Sequence, residues 1–176
     1  MSISNYDGVI KAVGKGNMNA LELLYDDLSK TVFALAYSIL KNRELAEDAM
    51  QETFIRVKLS AGDYSSRGKG RAWVLKIARN TALNLRAKAK RETSIEEVSE
   101  NKLVSESGEN KLIDCVMLEA AMRVLSRDER EIVLLHTGNG MLHREISQIV
   151  GRPVGTVKWM YSKALKKLAA EISLEE

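Results

Sequence analysis

The sequence is poor in cysteine, proline, histidine and aromatic residues, and it lacks a long apolar run. It contains one Cys, one Pro and two His among 176 residues, and only 5% of its residues are aromatic. The single Cys115 excludes an internal disulfide and fits a reducing cytoplasm. No apolar run approaches the roughly 20 residues that a membrane span needs, and no N-terminal run resembles a signal peptide. We therefore expect a cytoplasmic protein without membrane insertion.

Patterns for catalysis or metal binding are missing as well. His136 and His143 belong to neither a metal-ligand nor a nucleophile pattern. We expect His143, near Glu145, to lie on a helix surface. No glycine pattern fits a phosphate-cradling loop, because no strand pattern precedes one. The sequence therefore predicts a protein that is not an enzyme and has no metal or cofactor.

The dominant signal is helical. Ala, Leu, Lys and Glu are abundant, and apolar residues recur at steps of three and four over 21–39. Further helices are predicted over about 44–59, 71–90, 142–150 and 153–172. Residues 61–70 form a loop because they include three Gly and two Ser.

Local signals mark the helix ends in the second half. Ser126 and Glu129 have the spacing of a capping box and begin a helix that reaches about Thr137. An earlier helix is predicted over about 113–125. Gly151 suits a left-handed C-cap, which separates the last two helices.

Charge divides the chain into three segments. Residues 65–91 contain nine basic residues and no acid, residues 92–113 contain six Glu against two Lys, and residues 136–168 are basic with Glu145 as the one acid. Two basic blocks on either side of an acidic stretch suggest two places for a polyanion. The predicted fold is all-α, with two small helical domains (1–91 and 113–176) joined by a flexible linker (92–112) and a helix-turn-helix in the second. A solvated helix is the alternative for the linker.

The strongest constellation is a helix-turn-helix over 142–168. Five apolar residues are predicted to form the seam between its helices: Ile146, Ile149, Val150, Val154 and Val157. The lysines Lys158, Lys163, Lys166 and Lys167 lie along the second helix, which could enter the major groove of DNA. A helical hairpin with a solvated lysine face is the alternative.

Two further constellations lie in the first half. Glu47, Asp48, Gln51 and Glu52 share the outer face of a predicted helix, where like charges repel slightly. The clustering of acidic residues on one face favours a basic protein partner. A merely solvated acidic face is the alternative. After the loop, Lys76, Arg79 and Arg86 form a stripe on the next helix. Asn80 and Asn84 flank the stripe, Tyr64 and Trp73 offer aromatic surfaces for an unstacked base, and Arg67, Lys69 and Arg71 add charge. Trp73 is alternatively a plain core residue.

These residues together resemble the extracytoplasmic-function (ECF) group of RNA polymerase sigma factors. The segment from Ala46 to Phe54 resembles the part that binds polymerase core, and the segment from Trp73 to Asn80 resembles the helix that reads the minus-ten element. Residues 125–131 and 153–158 resemble the domain that reads the minus-thirty-five element. The resemblance covers nearly the whole chain except the linker and the ends.

The resemblance implies a function and partners. The chain would be an alternative sigma factor that binds RNA polymerase core and directs promoter recognition, DNA melting and transcription initiation. Glu47, Asp48, Gln51 and Glu52 would contact the beta-prime coiled-coil, and the domain carrying Ile132 to Leu135 would dock on the beta-flap. The loop 60–70 would hold a base flipped from the non-template strand. An anti-sigma factor is a common partner in the family, although no residue here identifies one.

The resemblance also implies the residues that face each promoter element. The minus-ten residues would be Tyr64, Arg67, Lys69, Arg71, Trp73, Lys76, Arg79, Asn80, Asn84 and Arg86. The minus-thirty-five residues would be Arg144, Arg152, Val154, Thr156, Lys158, Trp159 and Lys163.

Some positions depart from the family pattern. Asn84, Leu142, Trp159 and Met160 differ from the residues usual there, so no promoter sequence can be transferred. Two alternative functions are a free-standing DNA-binding regulator of the LuxR type and a helical enzyme or scaffold. The LuxR-type regulator does not explain the Ala46 to Phe54 motif or the basic helix after Trp73, and the sequence offers no ligands for the metal or cofactor of an enzyme.

Overall fold

The computed structural model describes residues 3–65, 68–93 and 123–172. Every regular element in these ranges is helical. The elements are α1 (Tyr6–Gly14), α2 (Met18–Leu40), α3 (Arg43–Ser60), a 3-10 turn (Ala61–Asp63), α4 (Gly70–Thr93), α5 (Arg127–Val133), a π turn (Leu134–Gly138), α6 (His143–Val150) and α7 (Val154–Ile172). The predicted all-α class is confirmed.

Asparagine caps begin the first three helices. The side chains of Asn5, Asn17 and Asn42 accept hydrogen bonds from the backbone N–H groups three residues later, at 3.0, 3.2 and 2.9 Å. Each bond satisfies an amide that the helix itself leaves unpaired. Helix α1 is absent from our sequence prediction, which begins the helical region at residue 19. Its Asn5 cap was a detectable signal.

The core of the first half forms where α2, α3 and α4 pack together. Leu24, Leu28 and Leu35 of α2 are essentially inaccessible, as are Val57 of α3 and Leu75 of α4. The side of α3 opposite the predicted acidic face is buried and consists of Ala46, Ala49, Thr53, Phe54 and Val57, with Met50 partly buried. The three- and four-residue spacing therefore identified the buried faces correctly.

The second half begins at a capping box. The Ser126 side chain accepts from the Glu129 N–H, and the Glu129 carboxylate accepts from the Ser126 N–H at 2.8 Å, as the sequence predicts. The helix changes to a π turn and ends before Gly140, whose φ is +63°. Gly151, with a φ of +70°, ends α6 in the left-handed conformation, and the helix-turn-helix prediction is confirmed.

The two halves pack against each other. Helix α6 lies on α4, and α5 contacts α2. Ile132, Leu135 and Ile146 belong to the same buried cluster as Leu75 and the interior residues of α2. The predicted linker, 92–112, lies almost entirely outside the described residues, and so does most of the helix predicted over 113–125.

Two local predictions are wrong. Val154, at the first position of α7, is 36% exposed, so the buried seam consists of the other four predicted residues. His143 is not a plain surface residue. Its ring lies 4.2 Å from that of His136 and 5.3 Å from that of Tyr161, and its Nε2 is buried without a hydrogen-bond partner.

Candidate functional site

The acidic face predicted on α3 is present and partly neutralised. Arg43 Nε donates to Glu47 at 3.0 Å and Arg56 Nε donates to Glu52 at 2.8 Å, both across one helical turn. These exposed pairs offset the repulsion expected among the acids at a small net gain. The i,i+4 spacing that creates them was visible in the sequence and was overlooked.

An open cavity adjoins this face. It has a volume of about 390 Å³ and lies between α2 and α3. Its lining combines aromatic, aliphatic and charged side chains: Tyr25, Ser29, Lys30, Phe33, Arg43, Glu47, Met50 and Gln51. The acidic face and the cavity therefore form one continuous surface on which an aliphatic or aromatic side chain of a basic partner could sit.

The predicted minus-ten residues separate into exposed and covered groups. The side chains that face solvent are Lys69, Lys76, Asn80, Asn84 and Arg86, and Arg67 lies outside the described residues. Tyr64 is only 7% exposed and packs against the partly buried Trp73, with 4.9 Å between ring centroids and 59° between ring planes. The aromatic pair thus closes the base of the loop in this conformation, and its rings are not open platforms.

The two remaining residues, Arg71 and Arg79, contact the second half. Arg79 Nε donates to Glu131 at 2.5 Å, and these side chains are 12% and 0% exposed. Arg71 Nη1 donates to the backbone oxygen of Asn139 at 3.0 Å. The carboxylate of Glu131 is buried so completely that its pKa is raised, although Arg79 opposes the shift. Part of the predicted DNA-binding face is therefore covered.

One further polar contact joins the halves. Thr31 Oγ1 of α2 donates to Asn139 Oδ1 at 2.6 Å. Asn139 thus binds α2 through its side chain and α4 through its backbone. Neither Asn139 nor Glu131 carried a sequence signal for this role, because their partners lie far away along the chain.

The surface of the helix-turn-helix is open by contrast. Trp159 is 62% exposed, and Lys163 Nζ lies 4.9 Å from the centroid of its ring, a cation–π contact. The other predicted residues are exposed or partly exposed: Arg144, Arg152, Val154, Thr156 and Lys158. Arg152 also pairs with Asp128 of α5, which fixes the turn before the second helix.

The segment from Ile132 to Leu135 is largely buried. Ile132 and Leu135 are 0% exposed and Val133 is 8% exposed. In this arrangement the predicted beta-flap segment faces the interior of the molecule.

The two histidines form an aromatic cluster with Tyr161. His136 Nδ1 lies 2.7 Å from the backbone oxygen of Met141. Burial lowers the pKa of His143, and electrostatic interactions with His136 and Lys158 lower it further. No group of three or more His, Cys, Asp or Glu side chains could hold a metal ion within the described ranges. In those ranges, too, no helix is long and apolar enough to cross a membrane.

The geometry defines a helical protein that carries an acidic outer face, a basic helix after a glycine loop and a helix-turn-helix. Two family descriptions match these parts: Sigma-70 region 2 matches residues 24–92, and Sigma-70, region 4 matches residues 115–168. The chain belongs to the sigma-70 family, in its ECF group, and is an alternative sigma factor that directs transcription initiation.

Named relatives agree with this assignment. The ECF sigma factor EcfG of Rhodopseudomonas palustris is 29% identical over 157 residues, which are 87% of each chain. The ECF sigma factor BldN of Streptomyces coelicolor is 26% identical over 167 residues, which are 92% of this chain and 63% of that protein. The structure is similar to that of RpoE of Bartonella quintana, solved with the anti-sigma factor NepR. The TM-score is 0.75 at 22% identity over 88% of this chain and 98% of that chain, which supports the fold.

Proposed function

We propose that the acidic face of α3 binds the beta-prime coiled-coil of RNA polymerase core. The observation that carries this proposal is the continuity of Glu47 and Gln51 with the cavity that Phe33 and Met50 line. Charge would orient a basic helical partner, and the apolar lining would supply buried area. Asp48 and Glu52 extend the same face along α3.

Residues 1–91 and 113–176 would then be the two working domains, joined by residues 92–112. The first would hold the melted minus-ten strand against the glycine loop and α4, and the second would read the minus-thirty-five duplex with α7. The exposure of Trp159, Lys158 and Lys163 supports the second assignment. Two modest DNA surfaces gain affinity when a common partner fixes their spacing.

The two halves pack against each other in what we call the closed arrangement, and this packing affects how such a complex would form. Arg79 cannot meet a phosphate while it is paired with Glu131, and Ile132 and Leu135 cannot reach the beta-flap while they are buried. We infer that core binding separates the halves and uncovers both surfaces. An anti-sigma factor that favoured the closed arrangement would oppose transcription.

The remaining assignments follow from the family. The chain would act in the cytoplasm, where the polymerase works, and would carry out no chemistry of its own. The family matches support the sigma-factor interpretation over a LuxR-type regulator.

Co-elution with sigma-free core polymerase tests the core-binding surface. Wild type should co-elute, and the Glu47→Lys, Asp48→Lys double variant should not. The loss of the Arg43 pair should cost little stability because that pair is exposed. The reciprocal control is Lys158→Glu, Lys163→Glu, which should retain core and lose promoter duplex. Retention of core by the α3 variant would refute this surface.

A further inference from the structure

Helix α1 braces the glycine loop through one carboxylate. Asp7 Oδ1 accepts hydrogen bonds from Tyr64 Oη at 2.7 Å and from the Gly70 N–H at 2.9 Å. Asp7 Oδ2 accepts from the Gly68 N–H. One side chain therefore holds both ends of the segment that joins the 3-10 turn to α4.

The packing around Gly70 is too close for any residue but glycine. A Cβ placed on Gly70 would lie 2.7 Å from the Cβ of Tyr6 and 2.9 Å from Ile10 Cδ1. A Cβ on Gly14, at the other end of α1, would lie 2.6 Å from the backbone oxygen of Ala61. Helix α1 is thus fitted against the loop on both flanks.

The charge of Asp7 suits its place. The amides of Gly68 and Gly70 stand at the N-terminus of α4, where unpaired N–H groups and the helix dipole favour an anion. Burial alone would raise the pKa of the Asp7 carboxyl. The bonds from Tyr64, Gly68 and Gly70 outweigh burial, so the pKa lies below its usual value of 3.8. The carboxyl is therefore ionised at neutral pH and acts as a cap supplied by another helix.

We propose that Asp7 is a positioning residue that fixes the two ends of the loop, Tyr64 on one side and Gly68 and Gly70 on the other, for the capture of an unpaired minus-ten base. This inference rests on the proposed function of the loop and extends it to a helix outside the family match, which begins at residue 24. The carboxylate holds Tyr64 in place, and the tilted Tyr64 ring packs against Trp73. A loop ordered in advance binds a flexible strand with a smaller entropic cost.

Asp7→Asn is the sharpest variant. Its amide oxygen can still accept from Tyr64 and Gly70, whereas its NH₂ would face the Gly68 N–H as a second donor. Asp27→Asn is the matched control, because Asp27 accepts from Tyr6 Oη and ties the same helix to α2 without reaching the loop.

The assay uses holoenzyme assembled from core polymerase and the full chain. Wild-type holoenzyme first selects a sequence from randomised short single-stranded DNA. The selected DNA is then labelled and titrated with each holoenzyme, and binding is followed by fluorescence anisotropy. We expect Asp7→Asn to bind it about tenfold more weakly, the effect of losing one charged hydrogen bond. Asp27→Asn should bind like wild type, and both variants should co-elute with core.

A spectroscopic measurement separates positioning from general stability. In a Trp159→Phe background, Trp73 is the remaining tryptophan and its emission reports on the loop. Asp7→Asn should shift this emission to longer wavelength, while Asp27→Asn should not.

The possible outcomes distinguish a failure of the proposed loop function from a failure of the proposed role of Asp7. If wild-type holoenzyme selects no sequence, the proposed function of the loop fails whatever Asp7 does. If wild type selects a sequence and Asp7→Asn binds it equally well, the role of Asp7 is overturned. Equal weakening by Asp7→Asn and Asp27→Asn would also overturn it, since that result means that α1 acts through bulk packing alone.

Discussion

The two basic surfaces of this protein differ in accessibility. On α7, Trp159 and Lys163 face solvent and form a cation–π contact with each other. On α4, Arg71 and Arg79 are bound to the second half. Under the proposed function, α7 reads intact duplex and can remain open, because duplex is always available to it. The surface of α4, proposed for melted DNA, would have no ligand until the polymerase opens the duplex, and the second half covers part of it.

Charge reversal should produce the largest difference between the two surfaces. Lys158→Glu with Lys163→Glu should weaken binding of duplex DNA by the free protein about a hundredfold, since two charged phosphate contacts are lost. The salt dependence should fall by about two phosphate equivalents. Anisotropy titrations over a range of salt concentrations would measure both effects.

The matched pair on α4 is Lys76→Glu with Arg86→Glu. Both residues are exposed. The change of charge equals that on α7, because two basic residues become Glu in each double variant. We expect less than a tenfold loss on duplex, because nonspecific phosphate attraction alone is weakened. Equal losses from the two pairs would show that α4 also binds intact duplex.

The next largest effect concerns the contact of α4 with the second half of the molecule. Glu131→Gln keeps the shape of the side chain and removes its charge. Burial raises the pKa of this carboxyl despite the pair with Arg79, so its charge opposes closure and the variant should strengthen the closed arrangement. Energy transfer between dyes on α2 and α7 should increase, and the free protein should bind single-stranded DNA less tightly.

Glu129→Gln is the control for that experiment. Glu129 lies two residues away and pairs with Lys167 of α7 at 2.7 Å, inside the second half. Its loss should lower the melting temperature of the second half and leave the energy transfer unchanged. A similar change in energy transfer in both variants would mean that Glu131 has no special part in closure.

The helices and their ends could be predicted because their causes are local. The Ser126 and Glu129 capping box, the Gly151 cap and the inward face of α3 all depend on residues within one or two turns. Sequence reasoning also brought together the exposed residues of α7, since one helix carries them.

The contacts between distant segments could not be predicted. Arg79 and Glu131 are 52 positions apart, and Thr31 and Asn139 are 108 apart. No periodicity connects such residues, so Arg79 could be assigned to a basic stripe but not to its partner. The bonds from Asp7 to the loop escaped notice for the same reason, with 57 or more positions between the partners.

A smaller effect is expected at the turn of the helix-turn-helix. Gly151→Ala should lower the free energy of unfolding by about 1 kcal/mol, because an L-residue at a φ of +70° is strained. Gly155→Ala, four residues later in α7, meets no atom within 4 Å and should be neutral or stabilising by up to about 1 kcal/mol. Urea unfolding followed by circular dichroism would distinguish the two, and equal stability would contradict the left-handed cap.

The smallest effect should come from pH, and its sign should differ between neighbouring acids of α5. Burial would raise the pKa values of Asp128 and Glu129, but hydrogen bonds from Arg127 and Arg152 and from Lys167 and Ser126 outweigh it and hold them below 3.8 and 4.5. Their stabilisation is present above those values and is lost as the pH falls through the lowered pKa values.

Glu131 should behave in the opposite way. Its buried carboxyl has a pKa raised above 4.5, so between the two pKa values the closed protein holds a proton that the open protein releases. Closure should therefore strengthen as the pH falls through the raised pKa toward 4.5, before the second half begins to lose its helices in stronger acid. Energy transfer between α2 and α7 should rise over that range in wild type and stay constant in Glu131→Gln. A rise of equal size in the variant would assign the pH response to another group.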